Sequence, residues 1–478
     1  MSRGSTGWQR RLILHIVVLM AAAGTGYAGQ RAARNQTALD RYVFAPDPNY
    51  RYELVSQSRG TNLTSYVLNL TSQQWRSAAE VDRPLWKHWL VVVVPDQVRS
   101  STGFLLIDGG SNTGNAPKTA NLALTTLAAS SQSVVANLRM IPSEPLTFTD
   151  ETRPRTEDAI IVYSWDKFMR TGDETWPLRL PMTKAAVRAM DTVTAFCAGL
   201  ESKVKVDKFA VGGGSKRGWT TWTTAAVDDR VVAILPFAID VLNVEKALDH
   251  HYRAYGFWAP AVQDYVDMRI VDWSGRPQYK ALMKIEDPYS YRDRLTMPKY
   301  IVNSTGDQYF PPDSWRFYFD DLKGEKYLRY VPNTKHDLNN SDAIFSLQAF
   351  YEAFLNGTPR PKFSWKFEKD GAIVVNTQDK PSEVKLWQAT NPKARDFRLD
   401  SIGPAYKSTP LEPQKDGHYV GKAPRPASGW TAYFVEMTYP SGGKYPFKFT
   451  TGVRITPDSL PSGPYRPAPI ANTQRSRQ

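Results

Sequence analysis

The fold of this chain is decided by the stretch Val211-Gly212-Gly213-Gly214-Ser215-Lys216-Arg217-Gly218. An apolar segment, 209–211, comes before the glycines, and a segment that can form a helix, 219–226, comes after them. The order is therefore strand, tight turn and helix, with Ser215 at the apex. Glycines suit such a turn because neither its backbone angles nor the strand-to-helix contact tolerates a Cβ. A serine held there has a strained backbone and an exposed hydroxyl, the geometry of a hydrolase nucleophile elbow.

The match to the usual elbow pattern, G-x-S-x-G, is incomplete. Gly213 lies two residues before Ser215, but Arg217 stands two residues after it, and the second glycine comes one position later, at Gly218. A Gly-rich loop without catalytic function is the alternative interpretation.

Composition predicts a large globular protein. The chain has 478 residues, 41% of them apolar, and its 14 Trp residues can build a large core. This length predicts a main domain and a smaller one. A single cysteine, Cys197, excludes an intrachain disulfide. No Cys and His cluster suggests zinc, and we expect neither a metal nor an organic cofactor.

The N-terminus has the order of an export signal. Arg3, Arg10 and Arg11 precede an apolar run, 12–23, and small residues follow as far as Ala28. We therefore predict a signal peptide over 1–28 and a secreted or periplasmic protein. The apolar run is short for a bilayer span, so no stable membrane insertion is expected after cleavage. An uncleaved anchor is the alternative.

The charge distribution bears on the partners. The formal net charge is +13, from 60 basic and 47 acidic residues, and the basic residues are scattered along the chain. No motif supports nucleic-acid binding. A mild positive field favours an anionic small-molecule or peptide substrate.

Short apolar segments alternate with helical ones between 51 and 360. After an alternating stretch at 52–75, strands are predicted at 89–94, 103–107, 133–138, 208–211, 231–235, 300–303 and 327–331, and helices at 119–129, 182–200 and 344–355. This alternation predicts an α/β domain with a mostly parallel sheet covered on both faces.

Three segments depart from this rhythm. The aromatic and charged stretch at about 244–293 is interpreted as a helical cap, with an ordinary surface excursion as the alternative. Alternating segments over 361–456 predict an all-β sandwich. Residues 29–50 are expected to form an arm, and 457–478, rich in Pro, Ser and Arg, a disordered tail.

Candidate partners for Ser215 follow it in the order acid, then histidine. Asp307 comes after the predicted strand 300–303, and His336 after 327–331. In such a triad the imidazole takes the serine proton and the carboxylate fixes its tautomer. Asp240, after the strand 231–235, is the alternative acid. The other histidines are less well placed: His15, His88, His250, His251 and His418.

Further site residues are expected around the turn. Gly110 and Ser111 follow a buried strand, where hydrolases place the loop that donates one backbone N–H to the oxyanion, and the N–H of Lys216 would be the second donor. A simple glycine turn is the alternative for the first loop. Lys216 or Arg217 is also a candidate for binding an anionic group of the substrate, with a solvated helix face as the alternative.

The chain resembles the family of PhoPQ-activated pathogenicity-related proteins. The residues that carry the resemblance lie in the stretches 171–182, 214–220, 225–231, 287–289, 297–299, 303–307 and 332–336. The resemblance implies an exported protein with an α/β-hydrolase fold and a C-terminal β domain. The serine turn is also similar to that of carbohydrate esterases acting on glucuronoyl esters, which makes an acidic sugar ester a hypothesis.

The sequence therefore predicts a serine hydrolase that cleaves an ester or an amide through Ser215, Asp307 and His336. A serine peptidase rather than an esterase fits the same residues. A hydrolase fold kept as a non-catalytic binding or signalling protein is the alternative from another class.

Overall fold

The valine run 91–94, in the strand 85–95, is buried in the main sheet. The computed structural model describes residues 36–470. The predicted signal peptide, 1–28, lies outside the described residues. Within them, no helix combines the length and apolar character needed to cross a bilayer.

Within residues 36–470 the main sheet has nine strands. In chain order they are β1 (Arg51–Gly60), β2 (Leu63–Gln74), β3 (Leu85–Pro95), β4 (Thr102–Ile107), β5 (Val135–Leu138), β6 (Lys208–Gly214), β7 (Val231–Phe237), β8 (Lys299–Ser304) and β9 (Lys326–Val331).

The sheet order is β1-β2-β3-β5-β4-β6-β7-β8-β9. The pairings from β1 to β5 through β3 are antiparallel, and all those from β5 to β9 are parallel. The carboxyl ends of β4, β6, β7, β8 and β9 therefore meet at one edge, where open α/β sheets bind ligands. This topology is the α/β-hydrolase fold that the sequence predicts.

Helices cover both faces of the sheet. In chain order, the helices of the described residues are α1 (Ala38–Phe44), α2 (Leu122–Ser131), α3 (Asp158–Thr171), α4 (Arg179–Gly199), α5 (Lys216–Val227), α6 (Val244–Tyr255), α7 (Gln263–Asp267), α8 (Pro277–Glu286), α9 (Ala343–Leu355) and α10 (Leu399–Ile402). Helices α2 and α9 contact each other on one face, and α1, α4 and α5 contact one another on the other. Neighbouring residues of a strand point to opposite faces: Phe104 packs under α2 and α9, and Leu105 packs under α4 and α5.

The segment between β7 and β8 is the helical insertion that the sequence interpretation places at about 244–293. It contains α6, α7 and α8 with short 3-10 turns at Pro260–Val262, Ile270–Trp273 and Pro288–Arg294. Helices α7 and α8 contact α3. The insertion therefore forms a cap that is seated on the main domain.

Two antiparallel sheets follow α9. Their strands are β10 (Phe363–Phe367), β11 (Ile373–Thr377), β12 (Glu383–Asn391), β13 (Lys407–Pro410), β14 (Tyr419–Gly421), β15 (Trp430–Tyr439), β16 (Phe447–Thr450) and β17 (Arg454–Thr456). Inward-facing residues of both sheets, such as Val375 and Val435, share one core with α9. Tyr300 of β8, the strand next to the edge strand β9, donates to the carbonyl of Lys448 at 2.5 Å, which joins this β region to the main sheet.

Two terminal segments differ from expectation. The predicted arm, 29–50, contains α1, which begins with a capping box at Thr37 and buries Leu39 and Val43. The predicted disordered tail, 457–478, has defined contacts as far as it is described: Tyr465 and the backbone N–H of Ala468 donate to the Asp272 carboxylate at 2.9 and 2.8 Å. The amino-acid composition of the tail does not reveal these contacts, because their partner, Asp272, lies in the cap, far away in the sequence.

Candidate active site

Ser215 lies at the turn between β6 and α5. Its backbone angles are φ 56° and ψ −128°, and its N–H donates to the carbonyl of Phe237 at 2.9 Å. A non-glycine residue in this region costs about 1–3 kcal/mol and persists only where the surroundings fix it. The turn therefore has the strained backbone of a nucleophile elbow.

Gly213 and Gly218 explain the shifted glycine pattern. A Cβ on Gly213 would lie 2.7 Å from the carbonyl oxygen of Arg217, and a Cβ on Gly218 would lie 2.8 Å from the carbonyl oxygen of Gly213. The strand and the first turn of the helix thus touch backbone to backbone. The close approach falls at Gly218, which is why a side chain is tolerated at Arg217.

Asp307 and His336 lie together after β8 and β9. The Nδ1–H of His336 donates to Oδ2 of Asp307 at 2.8 Å, and the other oxygen, Oδ1, accepts from the N–H of Tyr309 at 2.7 Å. The Asp307 side chain is 3% exposed, so its orientation is fixed. Burial lowers the pKa of His336, but the charge and hydrogen bond of Asp307 outweigh it and hold that pKa above its usual value.

Nε2 of His336 is buried and has no hydrogen-bond partner within residues 36–470, so the Ser215 hydroxyl is not bonded to it. The two groups nevertheless border one aromatic pair. The rings of Tyr309 and Phe310 lie 4.5 and 5.9 Å from the imidazole, and both residues line the cavity that reaches Ser215. In enzymes without bound substrate, the hydrogen bond between nucleophile and base is often long or poorly aligned and forms fully only when substrate binds.

Asp240 makes a different set of contacts. Its two oxygens accept from the hydroxyls of Tyr318 at 2.6 Å and Tyr330 at 2.5 Å. Burial raises the pKa of Asp240 to about 7, against the effect of these hydrogen bonds. Of the two acids that the sequence left open, Asp307 is the one that contacts His336.

The expected oxyanion loop lies beside the elbow. Gly110, at φ +126°, borders a groove together with Gly214 and Arg217. Ser111 is exposed, and its hydroxyl bonds to that of Thr113 at 2.6 Å. The N–H of Lys216, the first residue of α5, is the other expected donor. The oxyanion role of Gly110, Ser111 and Lys216 stays a prediction.

Lys216 and Arg217 are both paired with Glu157, a residue that the sequence analysis did not single out. The Lys216 ammonium lies 2.5 Å from Oε2 of Glu157, and Arg217 donates to both of its oxygens at 3.0 and 2.8 Å. These cations outweigh burial and lower the pKa of Glu157. A substrate anion would have to compete with this carboxylate, so anion binding by Lys216 or Arg217 stays a prediction.

Arg179 is a second residue that sequence reasoning missed as part of the site. It is fully buried, lies 3.4 Å from the Glu286 carboxylate and donates to the carbonyl of Lys216 at 2.7 Å. Arg179 therefore helps to hold the backbone of the elbow in place at Lys216. Its place within the stretch 171–182 was a signal, but nothing in the local pattern indicated its burial.

The remaining described histidines have structural partners. Nε2 of His88 bonds to Ser72, and Nε2 of His250 to Asp313, both at 2.9 Å. His251 bonds to the carbonyl of Tyr309 and to the N–H of Ala259, and His418 pairs with Asp416. In the part of the chain that the structure describes, no group of three or more His, Cys, Asp or Glu side chains is arranged to hold a metal ion.

The sheet topology, the cap and the strained serine define a protein of the α/β-hydrolase fold class. A sequence model of the PhoPQ-activated pathogenicity-related protein family matches residues 39–398, and the chain belongs to this family. Autocrine proliferation repressor protein A of Dictyostelium discoideum is 37% identical over 456 residues, which are 89% of this chain and 92% of that protein.

Solved structures with a similar chain path include two esterases. An acetyl xylan esterase from Paenibacillus sp. R4 is 14% identical, with a TM-score of 0.49 over 67% of this chain and 92% of its own. A glucuronoyl esterase from Solibacter usitatus is 15% identical, with a TM-score of 0.37 over 67% of this chain and 91% of its own.

Proposed function

We propose that this protein is an exported serine hydrolase that cleaves an ester or an amide. The observation that carries the proposal is the Asp307–His336 hydrogen bond of 2.8 Å. Tyr309 and Phe310 pack on that imidazole and line the cavity that reaches Ser215, a serine held in a strained turn. Residues with a strained backbone cluster at active sites. A hydroxyl nucleophile is activated by an adjacent base that a third group holds in position.

In the proposed reaction the Ser215 hydroxyl oxygen bonds to the substrate carbonyl carbon and its proton moves to Nε2 of His336. Asp307 holds the tautomer that leaves Nε2 free to accept. The backbone N–H groups near Gly110 and at Lys216 stabilise the oxyanion. The leaving group takes the proton from His336, and water then releases the acyl group by the same steps in reverse.

Fluorophosphonate labelling tests this proposal. The wild-type protein should be labelled and should hydrolyse p-nitrophenyl esters, and Ser215→Ala should lose labelling and reduce kcat by roughly 10⁶-fold. Ser274→Ala, at an exposed serine of the cap, is the matched control and should keep both. A folded wild-type protein that neither labels nor hydrolyses contradicts the proposal.

A second candidate function is signalling without catalysis. The observation that favours it is the 37% identity to a protein described as an autocrine proliferation repressor. Fold does not guarantee chemistry. Under this candidate, Ser215→Ala and wild-type protein added to growing Dictyostelium cells should slow their proliferation equally, whereas an effect lost in Ser215→Ala supports the hydrolase.

A further inference from the structure

Arg139 follows directly after β5, at the same edge of the main sheet as Ser215. Its backbone is bonded on both sides. The N–H of Arg139 donates to the carbonyl of Trp89 at 3.0 Å, and its carbonyl accepts from Nδ1–H of His88 at 3.3 Å. Burial lowers the pKa of His88 to about 4, so this imidazole is neutral at pH 7. The side chain of Arg139 therefore starts from a fixed position.

The guanidinium of Arg139 has no protein partner in the described part of the chain. Arg139 is partly buried, yet it forms no ion pair or side-chain hydrogen bond with residues 36–470. Lys216 and Arg217, the other cations at this edge, both pair with Glu157. A charged group that loses water without gaining hydrogen bonds raises the free energy of the protein. Of these three cations, Arg139 is therefore the one that can bind an anion without displacing a carboxylate.

A groove of about 440 Å³ joins Arg139 to the elbow. Gly110, Gly214 and Arg217 line it as well. A Cβ on Gly110 would lie 4.0 Å from Nη2 of Arg139, so the guanidinium lies beside the expected oxyanion loop. In the sheet, β4 is the strand between β5 and β6. Since neighbouring strands lie about 4.8 Å apart, the backbone of Arg139 is roughly 10 Å from the elbow.

One carboxylate of the groove opposes the binding of an anion. Asp108 is exposed; its Oδ1 accepts from the N–H of Gly109 at 2.8 Å, and its Oδ2 accepts from the Asn137 amide at 3.4 Å. Glu157 also borders the groove, but the two cations paired with it balance its charge. Arg139 and Asp108 therefore act on an anion in the groove with opposite signs.

We propose that Arg139 binds a carboxylate of the substrate in this groove. The planar guanidinium can donate two parallel N–H bonds to a carboxylate, which the ammonium of a lysine cannot. This inference rests on the proposed hydrolase function and specifies its substrate class, an ester or amide with a carboxylate on its acyl or its leaving group. It places the anion-binding group at a residue that the sequence analysis did not single out.

Pairs of substrates that differ in one charge test the proposal. On the acyl side, the p-nitrophenyl hemiesters of adipate and suberate are compared with their terminal carboxamides. On the leaving-group side, 4-acetoxybenzoate is compared with 4-acetoxybenzamide. We expect kcat/KM to be about 10- to 100-fold higher for the carboxylate in at least one pair, the effect of hydrogen bonds to a charged group. The pair that shows the preference identifies the half of the substrate that the groove receives.

Variants of the groove give the sign of the effect. Arg139→Met removes the charge and should abolish the preference through KM, with the neutral substrates unchanged. Arg139→Lys should keep part of the preference, and Asp108→Asn should increase it because the opposing charge is lost. Arg51→Met, at an exposed arginine of the distant edge strand β1, is the matched control and should leave every ratio unchanged. Thermal unfolding identifies any variant that fails to fold, and the wild-type ratios and Asp108→Asn test the proposal without Arg139→Met.

The outcomes separate the two proposals. A fluorophosphonate-labelled wild-type enzyme that hydrolyses none of the carboxylates, or prefers none to its neutral partner, overturns anion binding by Arg139 and leaves the serine hydrolase standing. A preference that survives in Arg139→Met does the same. Absence of both labelling and hydrolysis overturns the two together. A carboxylate preference that Arg139→Met abolishes and Arg51→Met keeps supports both.

Discussion

The elbow at Ser215 and the loops that carry Asp307 and His336 are held in different ways. Besides its bonds with Phe237 and Arg179, the elbow is held by contacts within a few residues: those between Gly213 and the backbone of 217–218, and the bond from Trp219 N–H to the Ser215 carbonyl at 2.9 Å. Such contacts follow directly from the local sequence.

The Asp307 and His336 loops depend on a distant segment, 395–406, of the C-terminal region. The side chain of Asn333 donates to the carbonyl of Tyr406 and accepts from its N–H, both at 2.9 Å. The N–H of Leu399 donates to the carbonyl of Gly306 at 3.0 Å. The turn that carries the nucleophile is therefore encoded largely by nearby residues, whereas the placement of its proposed base requires the C-terminal region.

Among variants in the two loops that carry the acid and the base, the largest effect is expected for Asp307→Asn. Loss of the carboxylate should lower kcat by about 10⁴-fold, because the imidazole loses its correct tautomer. Asp240→Asn is the matched control and should change kcat far less, since Asp240 contacts two tyrosines. Steady-state kinetics of both variants on one ester measures the two losses. A greater loss of kcat in Asp240→Asn would contradict the assignment of Asp307 as the acid of the triad.

The same variant should alter the pH profile. Asp307 holds the pKa of His336 above its usual value, so wild-type activity should rise at a higher pH than an ordinary histidine would give. In Asp307→Asn the residual activity should rise at a lower pH. An unchanged acidic limb would show that His336 is not the titrating base.

Arg179→Met tests the support beneath the elbow. Breaking a buried ion pair typically lowers the free energy of unfolding by about 3–5 kcal/mol, because the remaining charge is uncompensated. Arg188→Met is the control on the same helix; its pair with Asp191 is partly exposed and should be worth about 0.2–1 kcal/mol. Urea unfolding measures both, and equal losses would contradict the role assigned to Arg179.

Asp240→Asn should change how stability depends on pH. Burial raises the pKa of Asp240 from 3.8 to about 7, so the folded state keeps a proton that the unfolded state has lost. Stability should therefore fall by about 1.4 kcal/mol for each unit as pH rises from about 4 to 7. Nearby Asp307 and Asp313 contribute to this shift. Thermal unfolding across the window should give a flatter curve for the Asn variant, and parallel curves would contradict the shift.

The smallest effect is expected for Asn333→Gly, which removes the two hydrogen bonds to Tyr406. Glycine accepts the positive φ of 57° at this position, so the loss reports on the bonds alone. We expect kcat to fall about tenfold, comparable to the worth of one or two hydrogen bonds. Asn340→Gly, also at φ 57° but exposed, should have no such effect. Equal kcat values in the two variants would show that segment 395–406 does not position His336.

Sequence reasoning recovered the α/β order, the cap and the β strands of the C-terminal region because each leaves a periodic pattern in the chain. Helix α3 and the pairing of Glu157 with Lys216 and Arg217 were missed, since no local pattern shows which carboxylate a cation meets. The contacts of the described tail with Asp272 were missed for the same reason.

The sequence by itself determined the strand–turn–helix around Ser215, because glycine spacing and apolar runs act over a few residues. It also set the order in which Asp240, Asp307 and His336 follow. Only the tertiary structure decided that Asp307 contacts His336 while Asp240 contacts two tyrosines, and that the cap closes an apolar cavity over the serine. These contacts join residues tens of positions apart, so they depend on how the strands and loops pack and not on any local preference of the chain.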